Sequence, residues 1–316
     1  MFRTKKGQLL AQILWGLFLF TLFFFLLSNM FANFKVQQLS FGYSFLQEEA
    51  GFEIGDSLWS YSASDSYLKA LWTGIGNTLK IAFIGNIGAL ILGLFLSICL
   101  LVPHKLLQFL SESFLQVIRN IPLLLQLFVW YALISELLPP IRQSWEFLPN
   151  VFLNKRGLYL PWFDGSLPVL KGLNFQGGAH LSPELLALCL GLIIYTSVFM
   201  AEIIKAGVLS VEKGQWEAGH SLGFSYAQTL RLIIFPQSLR VIIPPLTSQF
   251  MNLTKNSSLA VAIGYPDFVS IVNTSLNQTG RAVELIFLLM LTYLFLNLCI
   301  SWIMNYFYRR VLKWNL

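Results

Sequence analysis

Charge is what this chain has least of. Asp, Glu, Lys and Arg make up 11% of its 316 residues, against a hydrophobic share of 56%, whereas soluble domains carry about 25% charged residues. That polar complement cannot coat a water-soluble body of this length, so a soluble globular protein is excluded. Cysteine is scarce as well. Cys99, Cys189 and Cys299 stand far apart inside apolar runs, and read as small buried hydrophobes rather than as disulfides or thiolate ligands. His104, His180 and His220 are equally scattered, which leaves no metal-ligand spacing. A G-x-x-x-x-G-K-[ST] phosphate loop is absent. Its nearest approach, Gly172 to Gly177, continues into Gly178 and Ala179 instead of Lys and Ser or Thr. No cluster of nucleophile, base and metal ligands suggests an enzyme, and there is no internal repeat or low-complexity tract.

What the chain has is a succession of long apolar runs, which predicts an all-α polytopic membrane protein of about six spans. Leu9–Phe31 is long enough to cross a hydrocarbon core of about 30 Å. It is too long for a signal peptide and has no small-residue cleavage pattern after it. The next spans are expected at Leu71–Val102, which exceeds the bilayer thickness, and at Phe114–Leu138. A fourth is opened by Pro183 and ends near Lys205. A fifth starts near Pro236 and is broken by Pro244 and Pro245, and the last covers Val283–Tyr308. The domain division that follows is 1–69, a first span with an outer loop, and 70–312, a transmembrane core with an outer insertion at about 139–182.

The formal net charge is +6, but its placement argues for a membrane rather than nucleic acid. Arg3, Lys5 and Lys6 crowd one end and Arg309, Arg310 and Lys313 the other, which by the positive-inside bias places both termini in the cytoplasm. Ala32–Tyr67, holding Glu48, Glu49, Glu53, Asp56 and Asp65, is then an outer loop.

One polar segment interrupts the apolar pattern between the fourth and fifth spans. It includes EAGHSLGFSYAQTLRLIIFP, Glu217 to Pro236, and reads as two short helices joined by a tight turn. Ser210 is expected to cap the first, with Glu212 in its opening turn. Gly223 suits the left-handed residue that ends it. Ser225 with Gln228 forms a capping-box pattern for the second, and Pro236 opens the next span. Caps and amphipathicity fit either an interfacial loop or a docking element.

The spacing of Glu217, Ala218, Gly219, Gly223, Ile233, Phe235 and Pro236 resembles the EAA loop of the membrane subunits of binding-protein-dependent ABC importers. Gly219 stands where that pattern has a second Ala, and Phe235 where it has Leu. The stretches Tyr195–Gly223, Arg119–Tyr131 and FMNLTKNSSLAVAIGYPDF resemble the polar amino-acid branch of these permeases. The extra first span, the acidic loop and NKRGLYLP resemble the general L-amino-acid branch. The resemblance implies a type I ABC importer permease fold in the bacterial inner membrane, with the polar loop as a cytoplasmic coupling helix seated on an ATPase. It further implies a homologous second permease, two ATP-binding subunits and a periplasmic solute-binding protein. ATP and magnesium would be held by the ATPase, and no cofactor by this chain. Glu217, Ala218, Gly219, Gly223 and Pro236 are the residues expected to couple.

Charges at the centre of a span cost about 2.5–3.5 kcal/mol on insertion scales, so those present need an explanation. Arg119 lies only about 7–8 Å up the expected third span at 1.5 Å per residue; it either snorkels or serves the transport path. Glu202 and Lys205 share one helical face, either as a structural pair or as substrate contacts. Lys80 either snorkels or packs against the partner. Asn252, Thr254, Lys255, Asn256, Ser257 and Ser258 offer the amides, hydroxyls and cation that an amino-acid zwitterion needs, with Pro244 and Pro245 freeing backbone groups nearby. Alternatively they mark the outer end of span five. Asn252, Lys255, Asn256, Ser257, Arg119 and Glu202 are therefore the substrate-pathway candidates.

Overall fold

The computed structural model describes residues 5–36, 42–162, 165–172 and 174–313, which fall into two units, one ending at Leu46 and one starting at Gln47. The first holds helix α1 (Lys5–Val36), whose stretch Gly7–Asn29 is long and apolar enough to cross a bilayer. Arg3, of the basic N-terminal cluster, lies outside the described residues.

The second unit is a helical bundle of α2 (Tyr67–Leu101), α3 (Lys105–Asn120), α4 (Leu123–Leu137), α5 (Pro183–Leu209), α6 (Lys213–Ser221), α7 (Tyr226–Thr229), α8 (Phe235–Asn256), α9 (Phe268–Thr279) and α10 (Ala282–Lys313). Of these, α2, α5 and α10 pass the test for a membrane span, and the six expected crossings are reached by counting each of two bent pairs as one span. At 35 residues α2 extends about 52 Å, longer than the hydrocarbon core, as expected.

Helix α5 stands at the centre because small residues let its neighbours approach. A Cβ added at Gly93 of α2 would lie 2.9 Å from the Met200 Cβ, and one at Gly191 of α5 would lie 2.5 Å from a methyl of Leu127 in α4. Close approach of this kind is how helices associate where lipid supplies no hydrophobic drive. Ser182 accepts from the Leu185 N–H at 3.2 Å and Pro183 occupies the first turn, so the expected helix start is found.

Two expected spans take a different course. The run Phe114–Leu138 is divided: α3 and α4 meet at an angle of 103°. Proline disfavours helical backbone at the residue before it, and Ile121 is extended (φ −100°, ψ 125°) ahead of Pro122. Gln126 stitches the elbow by donating to the carbonyls of Ile118 (2.9 Å) and Ile121 (3.0 Å). Arg119 therefore closes α3 instead of lying inside a span. In the fifth span the opposite happens, for α8 continues through Pro244 and Pro245. Ile242, Ile243 and Leu246 around them are buried, and this packing holds the helical path although two backbone donors are missing.

Lys80 neither snorkels nor waits for a partner subunit. Its ammonium lies 3.0 Å from Asp56 in the loop preceding α2, both side chains only 15% exposed. Asn77 donates to the Asp56 carbonyl (2.7 Å) and to the Pro266 carbonyl (2.8 Å). Trp59 donates to the Thr73 hydroxyl (2.9 Å) while its ring covers Gly76. The acidic loop is thus strapped down along α2.

The insertion between α4 and α5 holds strands that the sequence pattern does not announce. β1 (Trp145–Leu148), β2 (Val151–Asn154), β3 (Gly157–Leu160) and β6 (Ala179–Leu181) form an antiparallel sheet in the order β1-β2-β3-β6, and β4 (Val169–Lys171) pairs with β5 (Asn174–Gln176). Strands of three or four residues are too short to display a period of two.

Removing one partner of a buried ion pair costs about 3–5 kcal/mol. Asp56→Ala is expected to lower the thermal unfolding midpoint of the purified chain clearly. Combining it with Lys80→Met should restore most of the loss, because no uncompensated ammonium then remains. An unchanged midpoint for the single variant would show the strap to be passive.

Candidate functional site

The polar segment folds as a helix-turn-helix formed by α6 and α7. Ser210 is not the cap of α6 but the C-cap of α5, with its N–H bonded to the Ala206 carbonyl at 3.0 Å. The cap position falls to Glu212, whose side chain makes no capping bond. Here α5 runs four residues past Lys205 and uses up the serine. The end of α6 is as expected: Gly223 is left-handed (φ +81°). The Phe224 N–H bonds the Gly219 carbonyl (3.1 Å) and the Gly223 N–H that of His220 (2.9 Å), the paired bonds of a Schellman closure. Ser225 and Gln228 make both bonds of the capping box (3.3 and 2.8 Å). A π-helical turn, Leu230–Ile234, leads into α8, where Pro236 sits in the first turn.

Two hydrogen bonds seat this element on the bundle, and one ring stack joins its two helices. The Tyr226 hydroxyl donates to the Leu101 carbonyl at the end of α2 (3.0 Å), Trp216 stacks on Tyr226 with ring centroids 5.2 Å apart, and Gln237 donates to Gln215 (3.1 Å). Gly219 is buried, and a Cβ there would come within 2.6 Å of the Thr229 side chain. That contact explains why glycine replaces the alanine of the EAA pattern. Glu217, Ala218, Ser221 and Leu222 are exposed, Leu222 by 72%. The element therefore grips its own bundle with one side and leaves an acidic and apolar edge bare.

Above it, α5 carries two polar sites on one face. Nearest the loop, the expected Glu202–Lys205 pair is replaced by cross-helix pairs: Arg119 of α3 with Glu202, and Glu112 of α3 with Lys205 at 3.1 Å. These four residues, with Gln116 and Ala206, line a cavity of about 400 Å³. The Arg119 guanidinium also lies 5.7 Å from the centre of the Phe199 ring, a cation–π distance. Between α5 and α8, Tyr195, Thr196 and Phe199 face Gln249, Asn252 and Asn256 across a cavity of about 280 Å³. Phe199 touches both sites.

Depth follows from helix rise. Glu184 and Lys205 are 21 residues apart on α5, about 31 Å at 1.5 Å per residue, which is close to the thickness of the hydrocarbon layer. Tyr195 lies midway, so the second cavity is at the bilayer centre and the charged one at the boundary on the loop side.

Of the sequence-selected pathway residues, the structure brings Asn252 and Asn256 together on the central cavity, and Arg119 with Glu202 on the charged one. Lys255 is exposed and lines neither. Ser257 is buried and donates to the Thr254 carbonyl (2.8 Å), a role internal to the chain turn. Glu112, Tyr195, Thr196, Phe199 and Gln249 were missed. Helical spacing carried the signal for several of them: Tyr195, Phe199 and Glu202 recur at i, i+4 and i+7, and Gln249, Asn252 and Asn256 at i, i+3 and i+7.

Comparison with known proteins adds to this geometry. The sequence profile described as binding-protein-dependent transport system inner membrane component matches residues 85–313. The chain is 38% identical to the putative amino-acid ABC transporter permease YhdX of Escherichia coli, over 90% of this chain and 89% of that one. It is 34% identical to the general L-amino acid transport system permease AapQ of Rhizobium johnstonii, over 97% and 92%. A chain in the crystal structure of an amino acid ABC transporter with histidines superposes with a TM-score of 0.57 at 27% identity, covering 77% of this chain and 95% of that chain.

Overpacking a tight site costs about 1–3 kcal/mol. Gly219→Ala is therefore expected to loosen the α6–α7 element, seen as faster amide exchange over residues 213–235. Gly214→Ala, at a position with nothing within 4 Å, should leave exchange unchanged. Equal behaviour of the two variants would refute the packing account of Gly219.

Proposed function

This chain belongs to the inner membrane components of binding-protein-dependent transport systems, and we infer from that premise how its geometry works. It is the permease subunit of an ATP-driven importer, forming the translocation path and coupling it to a separate ATPase. Its cargo is polar L-amino acids, a class supported by the names of its relatives and by the amide and hydroxyl lining of the central cavity. The observation that carries the reading is the α6–α7 element. Its inward side is fixed to α2 and α8, and its outward edge, led by Glu217, makes no side-chain hydrogen bond or ion pair among the described residues.

In the assembly we propose, that edge seats on one of two ATPase subunits, which hold ATP and magnesium; this chain holds no cofactor. A homologous second permease completes the path, and a periplasmic solute-binding protein delivers the amino acid at the opposite membrane face. Both chain termini and the coupling element are then cytoplasmic. Closure of the ATPase pair displaces α6 and α7, and α8 carries the displacement along one uninterrupted helix to Asn252 and Asn256. The result is a rigid-body change of access at the bilayer centre. Arg119 and Glu202 hold α3 to α5 at the inner boundary of that path.

Glu217→Lys and Gly223→Asp are expected to reduce the ATPase recovered with the affinity-purified chain by about tenfold, equivalent to about 1.4 kcal/mol, with membrane insertion unchanged. Undiminished recovery with both variants would count against the docking role. In the reconstituted complex, Asn256→Ala should lower amino-acid-stimulated ATP hydrolysis while the subunits still co-purify. Normal uptake of every amino acid tested would take Asn256 off the path.

A further inference from the structure

The register of the small sheet fixes its height over the membrane. The β2–β3 turn is held to the end of α4 by the Lys155 N–H, 3.0 Å from the Pro139 carbonyl. β3 pairs Leu158 with Leu181, which immediately precedes the Ser182 cap of α5. This end of the sheet is therefore level with the points where α4 and α5 leave the hydrocarbon. Trp145 pairs with Leu153 at the same end. Phe147, two residues along β1, is at most about 7 Å farther out at about 3.3 Å per residue. The headgroup layer on each side of the hydrocarbon is about 5–7 Å deep, so both rings fall within it or at its rim.

The two faces of the sheet are covered differently. On one, Phe152, Tyr159 and His180 run across the strands; Phe175 of the β4–β5 hairpin covers the first two, with ring centroids 4.8 Å from Phe152 and 4.7 Å from Tyr159, and His180 stacks on Tyr159 at 4.5 Å. On the other, the cross-strand row is Leu181, Leu158, Leu153, Trp145. It starts at Leu181, packed on the bundle core, and ends at the uncovered edge strand. There the Trp145 and Phe147 rings meet edge to face across the irregularity in register, with centroids 6.1 Å apart, and are 50% and 61% exposed. The apolar face of the bundle thus continues beyond it, outward along the plane of the bilayer.

Cations lie at the same level. Arg142 in the turn before β1 and Lys155 in the β2–β3 turn are both exposed. Residues 139–182 carry Arg142, Lys155, Arg156 and Lys171 against Glu146 and Asp164, an excess of positive charge. Edge strands facing water are protected with charge, proline or a bulge, and β1 has one such irregularity in register between Glu146 and Leu148. Here three of the four β1 residues are large, apolar and exposed. Aromatic rings with flanking cations are instead the composition of a membrane–water interface.

We propose that the β1 edge is a phospholipid-binding surface, on which Trp145 and Phe147 bed into the headgroup layer and Arg142 and Lys155 take lipid phosphate. The occupant is an anionic phospholipid in the leaflet opposite the α6–α7 element. The anchor fixes the tilt of the insertion over the outer ends of α4 and α5.

The test places an environment-sensitive nitrobenzoxadiazole dye at Phe147→Cys or at Lys171→Cys, in the full-length chain reconstituted into vesicles of phosphatidylethanolamine and phosphatidylglycerol. Spin labels are carried on the lipid headgroup or deep in the acyl chain. Quenching at position 147 by the headgroup label, little by the deep label, and little by either at position 171 is the expected result. Arg142→Gln and Lys155→Gln should each raise the spin-labelled phosphatidylglycerol needed for half-quenching by about fivefold, matching about 1 kcal/mol per cation near an anionic surface. Equal quenching at the two positions, or none at 147, overturns the proposal. So does a dye at 147 that is shielded only when the solute-binding protein or a second permease is added, since the edge would then be a protein interface.

Discussion

Lys80, Glu202 and Lys205 each meet an opposite charge brought from another segment, and those pairs tie the bundle together. A lone charge in the hydrocarbon costs about 2.5–3.5 kcal/mol on insertion scales. Lys80 is met by Asp56 from a loop remote in sequence, Glu202 by Arg119 and Lys205 by Glu112, both across the α3–α5 contact. These pairs are also ties. The first binds the strap to α2, and the other two bind the amphipathic α3 to the central helix. The elbow at Pro122 is what lets α3 lie where it can supply Arg119 and Glu112, so a backbone restriction at one proline decides the electrostatics of another helix.

Stiffness and looseness are distributed in a way that suits a coupled transporter. α8 keeps its path through Pro244 and Pro245 and joins the π-turn beside the loop to the asparagines of the central cavity. Close approaches at Gly93, Gly191 and Gly207 fix α2, α4 and α8 against α5, leaving little freedom for one helix to move alone. Interfaces packed so tightly change by switching between arrangements rather than by gradual deformation. The α6–α7 element obeys the same logic at small scale. The glycine at 219 brings α6 against Thr229, and Trp216 and Tyr226 lock the two helices face to face.

Legibility in the sequence followed the range of the interaction. Local rules were readable: the Ser182–Pro183 helix start, the left-handed Gly223 and the Ser225–Gln228 capping box each depend on residues within four positions of one another. Ser210 misled because its capping chemistry suits the start of α6, while α5 continues four residues past Lys205, burying Gly207 and Val208, and overrules it. Glu202 with Lys205 misled for a similar reason. Helical spacing makes that pair possible, but α3 offers each of them a partner at better geometry.

Composition, apolar run length and turn chemistry by themselves determined that the protein crosses a membrane, roughly where it does so, and that a helix-turn-helix with the EAA spacing interrupts it. These are matters of solvent and of neighbouring residues, and a linear string records both. Only the tertiary structure decided that Pro122 folds a span into an elbow while Pro244 and Pro245 do not, which charges meet, and that Asn252 and Asn256 share a cavity with Tyr195 and Phe199. Each of those outcomes turns on which remote segment packs alongside, and so on contacts between residues as much as 211 positions apart, such as the bond from the Tyr67 hydroxyl to Gln278.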